Sequence, residues 1–341
     1  QPDQKVDSRT AKMRKIIILA WLCIHNAVLT LIMRYVRIRD VSEMFHPSVA
    51  VFMTELLKVT ICLVMIMFEE GVGKFWLTLR AHTITQPLDT LKVCLPAMLY
   101  VVQNTLSYIA VSHLEAAVVS ITSQTKILAA AICSIVVQGR SISPSQWAAI
   151  VILFCGVSVV QSSQSITVVA ERADRQQHPL FGAVCLVAAC FVSGYAGAYT
   201  EKIVKGHVSI WIRNTQMAIF SIPTCMLSMY MQDGDIISAN GMLYGFDGVV
   251  WITVVWYCIG GISVAFCLKY ADVVSKDFTT SAAIILSTIG SVYFFNFHIS
   301  IIFVIGAVLV MLALFMYSSP DLVLESICRK RPNRVQAEKE P

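Results

Sequence analysis

Charged side chains are too scarce in this sequence for a water-soluble protein of its size. Asp, Glu, Lys and Arg together make up 14% of the 341 residues, whereas 57% are hydrophobic. Soluble globular proteins average ~25% charged residues, which they need to cover a surface exposed to water. The composition therefore excludes a soluble enzyme or binding domain and predicts a protein whose solvent is a lipid bilayer.

The sequence also lacks the motifs of common membrane enzymes and pumps. It contains no G-x-x-x-x-G-K-[ST], H-E-x-x-H or G-x-S-x-G pattern and no cluster of histidines. These motifs bind phosphate, hold zinc or present a nucleophile, so their absence disfavours an ATP-driven pump and a membrane protease. We expect no enzymatic activity, no cofactor and no metal site.

Signals for disulfides and glycosylation are missing as well. The 11 cysteines form no C-x-x-C pair and lie almost entirely in apolar stretches. This favours small packing residues over a metal or disulfide role. The absence of an N-x-[ST] site indicates that little of the chain is exposed to a lumen.

What the sequence does contain is ten apolar stretches, each near the ~20 residues that a membrane crossing needs. We predict spans at 15–36, 48–68, 93–112, 116–138, 146–162, 180–201, 209–231, 249–269, 275–295 and 299–318. The tails at 1–14 and 319–341 carry much of the net charge of +5, which we assign to membrane topology rather than nucleic-acid binding. An even number of spans and these basic tails place both termini in the cytoplasm. The acidic loop 232–248 agrees with this orientation, and the exceptions are Arg37, Arg39, Arg172 and Arg175.

A polar segment at 162–179 divides the chain near its midpoint. The halves, about 15–162 and 180–318, each contain five predicted helices. Because five is odd, related halves must have opposite orientations, as in the inverted repeats of many transporters. The segments LEAAVVSITSQTKI and YADVVSKDFTTSAAI are faintly similar, with a chance match as the alternative. We therefore predict an all-α membrane protein with ten transmembrane helices in two inverted five-helix repeats, forming one domain at 15–318.

Lys126 and Lys276 lie inside the fourth and ninth predicted spans. A cation there normally faces a partner, a water-filled cavity or an anionic ligand. Snorkelling to the membrane interface is the alternative, but we expect Lys126 to lie too far from either end of its span. A local pair between Lys276 and the neighbouring Asp277 is possible, but adjacent residues on a helix do not face each other, so the ion pair is not expected to be self-satisfying. Two cations from opposite halves would suit a doubly anionic ligand such as a diphosphate.

Other polar side chains in the spans allow two interpretations each. Glu55 and Lys58 are spaced i, i+3 and can neutralise each other, with either a structural or a gating role. Gln103, Asn104 and Asn214 carry amides that can read a base or a ribose, or can hydrogen-bond between helices.

A glycine and aromatic surface is predicted in the sixth span. Gly194, Gly197 and Tyr195 could hold a base or ribose, although close helix packing explains the glycines equally well. Arg213 and Lys205, at the following turn, are expected to be interfacial anchors.

Several segments of the chain resemble one family of membrane carriers. They are VQNTLSYIAVSHLEAAV, SQTKI, SGYAGAYTEKIVKG, WIRNTQM, LKYADVVSKDF and AIILSTIGS. Together they resemble the Golgi nucleotide-sugar transporters, the branch that carries CMP-sialic acid, UDP-galactose and UDP-N-acetylglucosamine. The resemblance implies a drug/metabolite-transporter fold with two inverted halves. It also implies exchange of a cytosolic nucleotide sugar for a lumenal nucleoside monophosphate by alternating access.

The resemblance also implies roles for individual residues. The family's phosphate-facing lysines correspond to Lys126 and Lys276, and its nucleotide-facing glycines correspond to Gly194 and Gly197. Its Gln-Asn pair corresponds to Gln103 and Asn104, and its helix-seven Asn corresponds to Asn214. Its membrane Glu and Lys correspond to Glu55 and Lys58.

The chain departs from the family pattern in two places. Val119 and Ser120 stand where relatives typically have Tyr-Gln, and Asp277 stands in a motif that usually reads Lys-Gly-Phe. Because of the first departure, the sequence does not identify which base or sugar is bound. Asp277 is expected to lower the positive electrostatic field around Lys276.

We therefore expect a multi-pass Golgi antiporter, with UDP-sugars favoured and CMP-sialic acid as a further candidate. The alternatives are a carrier of another metabolite on the same fold, or a membrane scaffold without transport. The expected partners are a nucleotide sugar, a nucleoside monophosphate, membrane lipids and a second copy of the chain in a homodimer, with no nucleic acid.

Overall fold

The chain folds into long α-helices. The structure, a computed structural model, describes residues 2–39, 41, 43–114, 116–165, 179–295 and 300–318. The helices are α1 (Pro2–Ile38), α2 (Pro47–Glu70), α3 (Val72–Thr83), α4 (Pro87–His113), α5 (Ala116–Thr122), α6 (Thr125–Gln138), α7 (Pro144–Ser165), α8 (Pro179–Val204), α9 (Ile210–Asn240), α10 (Gly248–Tyr270), α11 (Val273–Phe295) and α12 (Ile301–Ser318). The prediction of an all-α protein is confirmed.

Local sequence signals begin and end several helices. Pro47 and Pro87 lie in the first turns of α2 and α4, where a missing N–H breaks no helical hydrogen bond. The Asp247 carboxylate precedes α10 and accepts the Val250 N–H at 3.0 Å. Gly139 follows α6 at φ 65°, a left-handed conformation that glycine adopts without strain.

Five helical segments are long and apolar enough to cross a bilayer. They are Thr10–Val36, Pro47–Glu70, Pro144–Ser162, Leu180–Val204 and Gly248–Tyr270, and Thr125–Gln138 and Ile301–Tyr317 are shorter apolar helices. The chain is therefore a multi-pass membrane protein. Ten crossings and an inverted repeat stay predictions.

The fourth predicted span is divided in the structure. α5 ends at Thr122 and α6 begins at Thr125, and the Gln124 N–H donates to the Ile121 carbonyl at 3.1 Å. Ser, Thr and Gln side chains in this run compete for backbone hydrogen bonds, which favours such a break. The break places Lys126 in the first turn of α6, in the interior of the predicted span 116–138, so its distance from the ends of that span stays a prediction.

The helices of the two halves pack in corresponding ways. α4 and α6 pack along α8, while α10 and α11 pack along α1. α2 contacts α9, and α7 contacts α12. If α5 and α6 are counted as one predicted span and α3, which lies in none, is left out, each helix can be matched with the one five spans further along. The contacts of α4 and α6 with α8 then correspond to those of α10 and α11 with α1. The contacts of α2 with α9 and of α7 with α12 each join the two members of a matched pair.

Two glycines bring α7 and α12 into backbone contact. A Cβ on Gly156 would lie 2.9 Å from the Leu309 Cβ and 3.1 Å from the Gly306 carbonyl oxygen. A Cβ on Gly306 would lie 2.9 Å from the Gly156 carbonyl oxygen. Small residues that allow such an approach are a main source of helix association in lipid.

At one end of the bundle, the carboxylate of Asp272 joins the two halves. It is 2% exposed and accepts hydrogen bonds from Lys15 Nζ at 3.1 Å and from the Ser275 N–H at 2.8 Å. Arg140 NH1 lies 3.3 Å from the same carboxylate. Burial raises the pKa of Asp272, but Lys15, Arg140 and the Ser275 N–H together hold it below its ordinary value.

At the other end, acidic residues of the second half pair with residues of the first. Arg39 donates two hydrogen bonds to Asp247, one of them at 3.1 Å, and this contact holds the pKa of Asp247 below its ordinary value. Ser48 donates to Asp233, and His46 Nδ1 lies 3.7 Å from that carboxylate. Arg39 is one of the exceptions to the predicted distribution of positive charge, and Asp247 balances its charge.

Candidate functional site

Lys126 is exposed at the first turn of α6. Its ammonium group has neither an ion pair nor a hydrogen bond to any residue that the structure describes. Its backbone N–H donates to the Ser123 carbonyl at 3.2 Å, within the break between α5 and α6. The side chain is thus a free cation at the start of a helix.

Lys276 occupies the first turn of α11 but has a counter-ion. Its Nζ lies 3.3 Å from Asp277 Oδ1, and the two side chains are 25% and 11% exposed. The local pair that the sequence left open is therefore present, because the four-carbon stem of lysine lets its ammonium group reach a side chain that points in another direction. The phenol of Tyr100 in α4 lies within electrostatic range of the same ammonium group.

Helix α8 contacts the turns that carry both lysines. Cys190 donates from Sγ to the Ser123 carbonyl at 3.5 Å, just before Lys126. A Cβ on Gly197 would lie 2.9 Å from the Val273 side chain, one turn before Lys276. Cys190 and Gly197 are separated by ~10 Å at 1.5 Å per residue, so both turns contact one short stretch of α8. α6 and α11 also pack directly against each other.

The predicted glycine surface lies at helix contacts. A Cβ on Gly194 would be 2.7 Å from the Ala129 carbonyl carbon, so this glycine lets α6 approach α8. Gly197 does the same for Val273 of α11. Tyr195 is 37% exposed and stacks on Tyr199, with ring centroids 6.1 Å apart. Direct approach of a ligand to the glycines stays a prediction.

The amides fall on two separate helices. On α4, Gln103 is half-buried and Asn104 is exposed, and Asn104 follows Tyr100 by one turn on the same side of the helix. On α9, Asn214 is 3% exposed and donates from Nδ2 to the Ile210 carbonyl at 3.0 Å. The α4 amides therefore lie on the same side of α4 as Tyr100, whereas Asn214 bonds within its own helix.

Arg213 is not an interfacial anchor. It is 7% exposed, and its guanidinium donates to Asp89 at 2.6 Å and to Gln216 Oε1 at 2.9 Å. The hydrogen bond from Arg213 holds the pKa of Asp89 below its usual value. Gln216 donates in turn to the His82 carbonyl at 2.8 Å, tying α9 to the corner between α3 and α4. The sequence analysis missed this network, because Asp89 precedes Arg213 by 124 residues.

Glu55 and Lys58 form the local ion pair that their spacing predicts. Lys58 Nζ donates to Glu55 Oε1 at 2.5 Å. Ser221 of α9 donates to the other carboxylate oxygen at 2.6 Å, so the pair lies where α2 crosses α9. Lys58 also reaches α10, since a Cβ on Gly261 would lie 3.3 Å from its Cδ.

Two cavities in the described part of the chain lie away from the lysines. One of about 510 Å³ is apolar, lies between α11 and α12, and is lined by residues such as Ile285 and Phe303. Another of about 600 Å³ lies beside the Arg39–Asp247 pair. Neither is lined by Lys126 or Lys276.

The helices define a multi-pass membrane protein with two lysines, Lys126 and Lys276, in the first turns of α6 and α11. A family model described as nucleotide-sugar transporter matches residues 10–318. The chain belongs to the nucleotide-sugar transporter family. It is a membrane transporter and not an enzyme.

Two relatives and one solved structure illustrate this similarity. The chain is 48% identical over 319 residues to the UDP-galactose/UDP-N-acetylglucosamine transporter srf-3 of Caenorhabditis elegans, covering 93% of this chain and 86% of that protein. It is 38% identical over 325 residues to the UDP-galactose translocator of Mus musculus, covering 94% and 83%. A solved crystal structure with 14% identity has a TM-score of 0.65 and covers 91% of this chain and 98% of its own, which supports the fold alone.

Proposed function

We propose that this chain exchanges a cytosolic nucleotide sugar for a lumenal nucleoside monophosphate across the Golgi membrane by alternating access. UDP-galactose and UDP-N-acetylglucosamine are the favoured substrates, because the similar worm and mouse proteins are named for them. CMP-sialic acid is the further candidate.

The observation that carries this proposal is the placement of Lys126 and Lys276. Each lies in the first turn of a helix, and both turns contact the same stretch of α8. The helix dipole favours anions at such a position. A lysine adds a strong point charge that suits phosphate. The pair therefore favours a ligand with a diphosphate or a phosphodiester.

Ten membrane crossings in two inverted halves form the framework of the proposed carrier. The matching contacts of α4, α6 and α8 with those of α10, α11 and α1 support a relation between the halves. Because each half has an odd number of spans, related halves run in opposite directions through the membrane. The basic tails favour placing both termini in the cytoplasm.

The remaining predicted residues orient the ligand or couple the helices in this proposal. Gln103, Asn104 and Asn214 hold the base or ribose, and Tyr195 offers an exposed ring beside them. Gly194 and Gly197 let the lysine-bearing helices approach α8. Glu55 and Lys58 act at the crossing of α2 and α9, where a change in their contact would accompany reorientation.

Transport assays with purified protein in vesicles test the proposal. Vesicles preloaded with UMP should take up radiolabelled UDP-galactose faster than empty vesicles, because the loaded carrier reorients more readily. A panel of unlabelled UDP-, CMP- and GDP-sugars then ranks the substrates by competition.

Two outcomes would count against the proposal. No uptake of any nucleotide sugar into UMP- or CMP-loaded vesicles would contradict it. Thermal stabilisation by an amine, a purine or a phosphorylated sugar, with none by nucleoside monophosphates, would indicate another metabolite.

A further inference from the structure

The two lysines differ in how their charge is balanced. The Lys126 ammonium group is exposed and has no ion pair among the described residues. The Lys276 ammonium group lies 3.3 Å from the Asp277 carboxylate. We infer that Asp277 is an internal counter-ion, which takes the place of substrate phosphate in the empty carrier and makes this protein only partly dependent on exchange.

The local structure keeps Asp277 beside Lys276. The next residue, Phe278, is 2% exposed and stacks on Tyr317 of α12, with ring centroids 4.4 Å apart. Thr280 and Ser281 donate to the carbonyls of Lys276 and Asp277 at 3.0 and 2.9 Å, so the helix is regular here. With Phe278 anchored in the core, the backbone that carries Lys276 and Asp277 is held in place.

The charge balance has a direct consequence for the transport cycle. The inference rests on the proposed function, in which phosphate binds near both lysines. An empty carrier with two uncompensated cations reorients slowly, because a bare charge in a low-dielectric interior is unfavourable. Asp277 removes half of that imbalance, so the empty form reorients more easily and nucleotide sugar can enter without a counter-substrate.

The same carboxylate competes with the substrate. Incoming phosphate must draw the Lys276 ammonium group away from Asp277 or bind beside a negative charge, and either route weakens binding. Removal of the charge at Asp277 should therefore strengthen substrate binding and, at the same time, increase the dependence on exchange. A residue that served only to stabilise the fold would change neither quantity.

The test compares uptake of labelled UDP-galactose into empty and UMP-loaded vesicles. Wild-type protein should show measurable uptake into empty vesicles. Asp277→Asn should lower that uptake about tenfold, equivalent to ~1.4 kcal/mol, while leaving exchange nearly unchanged and lowering KM. Asp277→Glu keeps the charge and should restore uptake into empty vesicles, which makes it the matched control.

The outcomes separate this inference from the proposed function. No exchange by wild-type protein would contradict the proposed function itself. Exchange with no uptake into empty vesicles, or an unchanged ratio in Asp277→Asn, would overturn the inference alone. A lower melting temperature of Asp277→Asn with an unchanged ratio would show a purely structural pair. Should that variant fail to fold, the wild-type ratio of empty to loaded uptake still decides the matter.

Discussion

Lys126 and Lys276 occupy comparable positions in the two halves of the molecule but have different electrostatic surroundings. Both lie in the first turn of a helix that contacts α8. Lys126 is exposed without a counter-ion among the described residues, whereas Lys276 is held at 3.3 Å by Asp277. Related backbone positions can thus carry the same residue and still present different net charge to a ligand.

This difference means that the two lysines should respond unequally to the same substitution. Loss of Lys126 removes one positive charge. Loss of Lys276 removes one positive charge and also leaves the negative charge of Asp277 without its counter-ion. The most informative experiments therefore change the lysines and their neighbouring acids separately.

The largest effect is expected for Lys276→Ala. The variant leaves the Asp277 carboxylate without its cation, so phosphate meets repulsion where it met attraction. Exchange of UDP-galactose for UMP should fall about a hundredfold, equivalent to ~2.7 kcal/mol. The measurement is the initial rate of exchange in preloaded vesicles.

The control for this prediction is the double variant Lys276→Ala with Asp277→Ala. Removing the unpaired carboxylate should raise the exchange rate about tenfold above that of the single variant, because only the attraction to phosphate is then missing. Equal rates for the single and double variants would show that Asp277 does not influence ligand binding.

A smaller effect is expected for Lys126→Ala. It removes one attraction without exposing an acid, so exchange should fall about tenfold. Lys74→Ala, a change at an exposed lysine in α3, serves as the control and should leave exchange unchanged. A Lys126→Ala loss as large as that of Lys276→Ala would contradict the electrostatic difference between the two sites.

The smallest effect concerns stability and extends the comparison to Asp272, a second acid near the start of α11. The pKa of Asp272 is held below its ordinary value, so its ion pairs contribute fully above the unfolded pKa of ~3.9 and are lost as pH falls through the lower folded pKa. Asp272→Asn should melt a few degrees below wild type at neutral pH, as expected for ~1 kcal/mol or more.

Acidification provides the internal check on that prediction. The difference in melting temperature between wild type and Asp272→Asn should shrink below about pH 4, as wild-type Asp272 becomes protonated. Asp235→Asn changes an exposed acid and should show little difference at either pH. A difference that stays constant on acidification would show that the Asp272 charge does not stabilise the fold.

Local spacing explains which parts of the site were predictable from sequence. Long apolar runs identified the helices, and the i, i+3 spacing of Glu55 and Lys58 identified their ion pair. The pair of Lys276 and Asp277 was only one possibility from the sequence, because the rule for adjacent residues considers helix faces and ignores the reach of a lysine side chain.

Contacts between distant segments could not be derived from the sequence. Arg39 and Asp247 are 208 residues apart, and only the fold shows that they pair. The break before Lys126 was equally difficult to foresee, because neither glycine nor proline marks it.

The contact between Gly156 and Gly306 has a mechanical consequence. The backbones of α7 and α12 touch there, and the two helices belong to different halves of the chain. In a carrier whose halves rock against each other, two helices in close backbone contact across the halves can move little relative to each other. The contact between α7 and α12 would then stay nearly fixed while the rest of each half moves around it. A bulky side chain at either glycine would push these two helices apart even without a ligand.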